Sequence, residues 1–183
     1  HRIQELGRLG RLLNAGDSID RDATWSLKRE ALGILRAVPL TGARARAYRR
    51  FRDVEGDGLT AYATWCALAE EHGLPWAGWP AELRDPASPE VAWMQWLMAE
   101  QLAAVQFALK RSGMRLGVIE DLAVGVNPDG SDAWSLADVL ARGVKVGAPP
   151  DQFNQLGQSW SQPPWRPDRL AEQGYRPFRD VVR

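Results

Sequence analysis

The chain has 183 residues, with 23 basic side chains balancing 23 acidic ones, which is enough for one well-buried domain. Charge balance argues against a nucleic-acid or acidic-membrane partner, since such proteins carry a basic surplus or stripe. Cys66 is alone and His1 and His72 are the only histidines, so an intrachain disulfide, a His-based metal site and a Ser-His-Asp triad are excluded within this stretch.

The first residue is His1 rather than Met, so the expectation is a stretch trimmed from a longer chain. There is no signal-peptide pattern, and the most apolar run, residues 91–109, is broken by Gln95, Glu100, Gln101 and Gln106. It reads as a buried helix of a soluble protein, so the expected location is cytoplasmic. Arg44, Arg46, Arg49, Arg50 and Arg52 form a local basic cluster. Asp53, Glu55 and Asp57 follow at once, which points to a solvated helix face. Nine tryptophans are present, and an indole serves equally in a core or as a platform beneath a sugar ring.

Apolar spacing predicts a helix over residues 3–13, ending at Asn14-Ala15-Gly16. Asp20 or Asp22 caps a second helix carrying Trp25, Leu27, Leu32, Ile34 and Leu35, and Pro39 stops it. A third runs over residues 41–51 to a turn at Glu55-Gly56-Asp57-Gly58. Leu59, Tyr62, Ala63, Cys66 and Ala69 then fall on one face of a fourth, which makes Cys66 a packed thiol rather than a nucleophile. Residues 74–89 form a loop rich in Pro, Gly and Trp. Ser88 opens a long helix to Arg111 that is apolar nearly all round and so must be covered on several sides.

Residues 114–126 are rich in Val, Ile and Leu without alternation, as buried parallel strands are. Asn127-Pro128-Asp129-Gly130 is a turn signal. A short helix over residues 135–142, a brief strand over residues 144–147 and a long loop over residues 148–165 follow. Loops after barrel strands carry function, so this one is a candidate by position.

That loop, from Val146-Gly147-Ala148-Pro149-Pro150-Asp151 through Gly157-Gln158-Ser159-Trp160 to Pro163-Pro164-Trp165, resembles the one typical of the 4-α-glucanotransferases (amylomaltases), within the α-amylase-like barrel enzymes. Ile119-Glu120-Asp121-Leu122, Asp132-Ala133-Trp134 and Gly174-Tyr175 with Phe178 resemble the flanking segments. The stretch Trp93-Met94-Gln95-Trp96-Leu97 resembles the helical insertion of longer bacterial members. Two positions depart from the pattern: Ser161 stands where many members have Gly, and Gln152 where some carry an aromatic.

The resemblance implies an α/β fold, predominantly helical in content. Residues 113–183 would be a partial (β/α)8 TIM-barrel segment with a substrate-binding loop at 147–165, and residues 1–112 a helix-rich insertion subdomain. The implied activity moves α-1,4-glucan segments between maltodextrins by a retaining double displacement, which needs two carboxyl groups about 5–5.5 Å apart. No metal or organic cofactor is implied. The family's nucleophile, acid/base and third carboxylate have no matching positions here, so the catalytic set would lie in the remainder of a longer chain.

Carried over by position, Asp121 orients sugar hydroxyls or satisfies loop amides. Gln158 and Trp160 contact glucan, the amide through hydroxyls and the indole through a pyranose face, or Trp160 anchors the loop on the rim. Asp151 binds sugar or caps its turn, and Phe153 binds sugar or is core. Two other readings remain. A stand-alone glucan-binding module would cover Val118, Leu122 and Val124. A purely structural helical domain would leave no exposed Trp160 beside Gln158.

Overall fold

The computed structural model describes residues 1–80, 88–123 and 125–182. Two compact units divide the chain, His1–Phe51 and Arg52–Arg183. In the first, α1 (Arg2–Leu12) and α2 (Arg21–Arg36) are joined through a 3₁₀ turn at Leu13–Ala15. Leu6 is buried. The Arg2 guanidinium grips Glu30 with two bonds, Nε to Oε1 at 2.6 Å and Nη2 to Oε2 at 2.9 Å. It also holds Glu5 at 2.9 Å, and this pairing holds the Glu30 carboxyl below its usual range. Of the two candidate caps for α2, Asp20 is the one used, its carboxylate accepting from Ala23 N–H at 2.9 Å. The helix ends at Arg36, with Ala37 as its cap, because the residue before Pro39 is sterically barred from helix.

Helix α3 (Gly42–His72) begins in the first unit and ends in the second. The turn expected at residues 55–58 shrinks to one residue, Gly56, whose φ of +50° and ψ of −129° leave helical geometry. The inner face beyond it buries Ala63, Thr64 and Leu68. Cys66 lies on this stretch half-buried, and burial pushes its thiol up. A thiol held in the neutral form is not an activated nucleophile. Tyr62, one turn earlier, is pushed up to about 12, first by burial and then by its Cys66 neighbour.

Ser88 caps α4 (Pro89–Arg111) by accepting from Val91 N–H at 3.3 Å, and its own N–H reaches Ala63 C=O at 3.4 Å. Only the first half of α4 behaves as its apolar sequence predicts. Ala92, Trp93 and Trp96 are buried, while Met98, Leu102, Val105 and Phe107 are exposed.

The strand predicted over residues 114–126 carries no β-ladder among the described residues, and Val124 lies outside them. A strand exists only through a partner backbone, and here the partners are side chains of α4. Gln106 donates to Leu116 C=O at 3.1 Å and accepts from Val118 N–H at 2.7 Å, and Lys110 donates to Arg115 C=O. The carboxamide thus does what a neighbouring strand would do. Leu116, Ile119 and Leu122 remain exposed, Ile119 at 79%.

The turn at Asn127–Gly130 forms, with Gly130 N–H on Asn127 C=O at 2.9 Å. The short helix comes earlier than predicted, as α5 (Ser131–Ser135), since the N–H of Trp134 already reaches Gly130 C=O at 3.1 Å. Helices α6 (Pro167–Glu172) and α7 (Arg176–Val181) close the chain, with Leu170, Pro177, Ala133, Val139 and Leu140 buried. The described residues are therefore helix-rich. No helix among them is long and apolar enough to cross a membrane.

Candidate functional site

The predicted loop is a braced antiparallel arm. Its ladder is β1 (Gly147–Ala148) against β2 (Gln158–Ser159), with Gly147 opposite Ser159 and Ala148 opposite Gln158. The strand expected at 144–147 thus begins later and pairs with the far end of its own loop. Toward the base, Val146 N–H reaches Gln162 C=O, Ala141 N–H reaches Pro164 C=O and Arg166 N–H reaches Val139 C=O, each at 2.8 Å. Leu140 bridges to Trp165, and Phe178 meets the Trp165 ring edge to face at 6.0 Å.

Two glycines make the arm possible. A Cβ on Gly147 would sit 2.1 Å from Gln158 C=O. Gly157 has φ of +71°, and a Cβ there would sit 2.8 Å from Ala148 C=O. Between Trp160 N–H, which bonds Val146 C=O at 3.0 Å, and Gln162 C=O, which accepts from Val146 N–H, Ser161 is left over as a bulge. Its φ is +59°, a left-handed value that glycine adopts without strain. Serine at this position therefore carries a conformational cost. Ser161→Gly should raise stability by about 1 kcal/mol, read as a higher melting temperature. An unchanged or lowered value would show that serine is not strained.

The arm brings Gln158 and Trp160 together. The Trp160 indole N–H donates to Gln158 Oε1 at 3.1 Å, and Trp160 is 50% exposed. Their flat ring and free amide group therefore face solvent as one unit, and Trp160 is not a core residue. Asp151 is occupied locally: one carboxylate oxygen accepts from Phe153 N–H at 2.8 Å and Asn154 N–H at 2.7 Å. That cap turns the tip so that Phe153 and Leu156 project, 87% and 98% exposed, and Phe153 is not core either. Asp121 lies exposed on the extended segment, and no hydrogen bond or ion pair joins it to the arm among the described residues. No cluster of three His, Cys, Asp or Glu side chains able to hold a metal occurs among them.

Sequence reading missed a group of tryptophan contacts in the second unit. Trp76 N–H donates to Pro128 C=O at 2.8 Å, and Trp79 N–H to Gly73 C=O at 2.7 Å. Trp79 lies 6.5 Å from both Trp65 and Trp134. The Arg142 guanidinium sits 4.7 Å above the Trp76 ring. Spacing in the chain gives no sign of the Trp76 contacts, because Pro128 lies 52 residues away and Arg142 further still.

Comparison with known proteins gives the arm a context. A family model described as 4-alpha-glucanotransferase matches residues 2–183. The 4-alpha-glucanotransferase of Mycobacterium tuberculosis is 54% identical over 180 residues, covering 91% of this chain and 25% of its own length. That of Thermus thermophilus is 32% identical over 150 residues, covering 70% of this chain and 30% of its own. Among solved structures, the amylomaltase of Corynebacterium glutamicum superposes with a TM-score of 0.80 at 42% identity, over 91% of this chain and 24% of that one. An amylomaltase of Streptococcus agalactiae in complex with acarbose shares the fold, with a TM-score of 0.70 at 18% identity over 86% of this chain and 37% of that one. This chain belongs to the 4-alpha-glucanotransferase family. It spans about a quarter of the length of the Mycobacterium relative.

Proposed function

We propose that the chain is part of an enzyme that transfers α-1,4-glucan segments between maltodextrins by a retaining double displacement, working in the cytoplasm. The observation that carries this reading is the Gln158–Trp160 pair, held half-exposed on a braced arm in a chain of this family. An indole face covers the apolar side of a pyranose, and an amide both donates to and accepts from vicinal hydroxyls. Asp121 orients sugar hydroxyls, while Asp151 and Phe153 shape the tip of the arm against the glucan.

Residues 113–183 are assigned to early units of a (β/α)8 barrel, and residues 1–112 to a helical subdomain inserted in it. A barrel needs about 250 residues and eight strands, more than this chain holds, so the catalytic carboxylates belong to the rest of a longer polypeptide. The exposed Leu116, Ile119 and Leu122 support this, as residues that neighbouring strands would cover. Exposure of Trp160 beside Gln158 favours a glucan-contacting arm over a purely structural helical domain.

The test is disproportionation of maltotriose by the full-length enzyme, read as release of glucose and longer glucans. Trp160→Ala should lower kcat/KM about tenfold, on the order of 1.4 kcal/mol of lost binding to the transition state, with the melting temperature unchanged. Wild-type rates in that variant would remove Trp160 from the site, and an enzyme that leaves maltotriose intact would sink the function.

A further inference from the structure

Gly125 lacks a side chain for reasons of room rather than of backbone freedom. Its φ is not left-handed, yet a Cβ there would lie 2.1 Å from Oε1 and 2.4 Å from Cδ of Gln162, and 3.1 Å from its Cβ. The half-buried Gln162 side chain therefore lies directly against the Gly125 backbone. We propose that Gln162, seated in this notch, is a positioning residue that sets the spacing between Asp121 and the Gln158–Trp160 pair. The proposal rests on the reading that both touch glucan, and it adds how they are kept in register.

The contact joins the two elements that carry those groups. Asp121 stands four residues before Gly125, so the two are at most about 14 Å apart along the chain. On the other side, Gln162 C=O accepts from Val146 N–H at 2.8 Å, and Val146 C=O accepts from Trp160 N–H at 3.0 Å. The Trp160 indole in turn donates to Gln158 Oε1. A shift of Gln162 is thus passed to the pair through the backbone of a single residue.

The upstream side of Asp121 is fixed by the same device. A Cβ on Gly117 would lie 2.2 Å from Oε1 of Gln106, the carboxamide that bonds Leu116 C=O and Val118 N–H. Asp121 therefore sits between two contacts of a glutamine on a glycine, four residues from each. Gln106 ties the segment to α4, and Gln162 ties it to the arm. Misplacing a substrate-positioning group by about 1 Å is enough to slow an enzyme severely, so the fit of Gln162 in its notch reaches the chemistry without touching substrate.

The experiment is maltotriose kinetics of the full-length enzyme, with the melting temperature of each variant measured beside it. Gly125→Ala should raise KM about tenfold by driving the arm off the segment, since contacts made equally in ground and transition states appear in KM. Gln162→Ala should raise it about threefold by emptying the notch, while Gln162→Met, of similar length, stays within about twofold of wild type. Gly125→Ala combined with Gln162→Ala should recover most of what Gly125→Ala alone loses, because the new methyl carbon enters the space the carboxamide vacates. An unchanged KM in Gly125→Ala, whether or not its melting temperature falls, overturns the positioning role. So does a combined variant no better than Gly125→Ala alone. Where Gly125→Ala does not fold, the two Gln162 variants decide, and a wild-type KM in Gln162→Ala overturns the proposal. Wild-type enzyme that leaves maltotriose intact overturns instead the function on which it rests.

Discussion

Gly147→Ala should cost about 3 kcal/mol and release the arm. The added methyl carbon would lie 2.1 Å from the carbonyl oxygen of Gln158, and that oxygen belongs to backbone, which cannot swing aside as a side chain would. Relief requires β1 and β2 to part, and overpacking of this kind costs about 1–3 kcal/mol even where flexible atoms can yield. Separation of the strands takes with it the placement of Trp160, whose N–H bonds Val146 C=O at 3.0 Å. Two readouts are expected to move together: a melting temperature several degrees lower, and red-shifted tryptophan emission as the Trp160 indole loses its Gln158 partner. A variant with unchanged melting and emission would show that the two strands are not held as described. Substitution at Ala148, across from Gln158, makes the contrast, since a side chain is already accommodated there.

Trp96→Ala should cost about 3–5 kcal/mol, the range for removing a large aromatic from a core. Trp96 is 2% exposed on α4, whereas Phe107, three turns further along the same helix, is 63% exposed. Its ring there is crossed by the Arg111 guanidinium at 5.6 Å. Phe107→Ser should accordingly change the stability of the 183-residue chain by no more than about 0.5 kcal/mol. Chemical denaturation of the two variants checks both values, and equal losses would overturn the assignment of buried and open halves. The barrel proposal adds an expectation for the full-length enzyme. There Phe107→Ser should destabilise by about 1–3 kcal/mol, because neighbouring elements would cover that half of α4. A neutral effect in the full-length enzyme would mean that this half of the helix faces water throughout.

Sequence alone located most of the helices and their ends, and the reason is that these signals are local. Asp20 and Ser88 satisfy N–H groups only three residues away. Pro39 acts on the residue before it. Gly56 breaks α3 because it alone tolerates its own φ. The family was legible too, since twenty consecutive positions of the arm carry it and the family model spans residues 2–183.

Strands were read least well. Residues 114–126 have the composition of a buried strand, yet strand formation depends on a partner supplied from elsewhere in the fold, and the partner here is Gln106. The arm's pairing of Gly147 with Ser159, the bulge at Ser161 and the Trp76–Arg142 contact join residues 12 or more apart, or turn on a backbone angle that no side-chain pattern records. Local chemistry thus determined the helices, the caps and the identities of Gln158 and Trp160. Only the tertiary structure decided that those two face solvent together, and that half of α4 stays open, because burial and pairing belong to the space between segments.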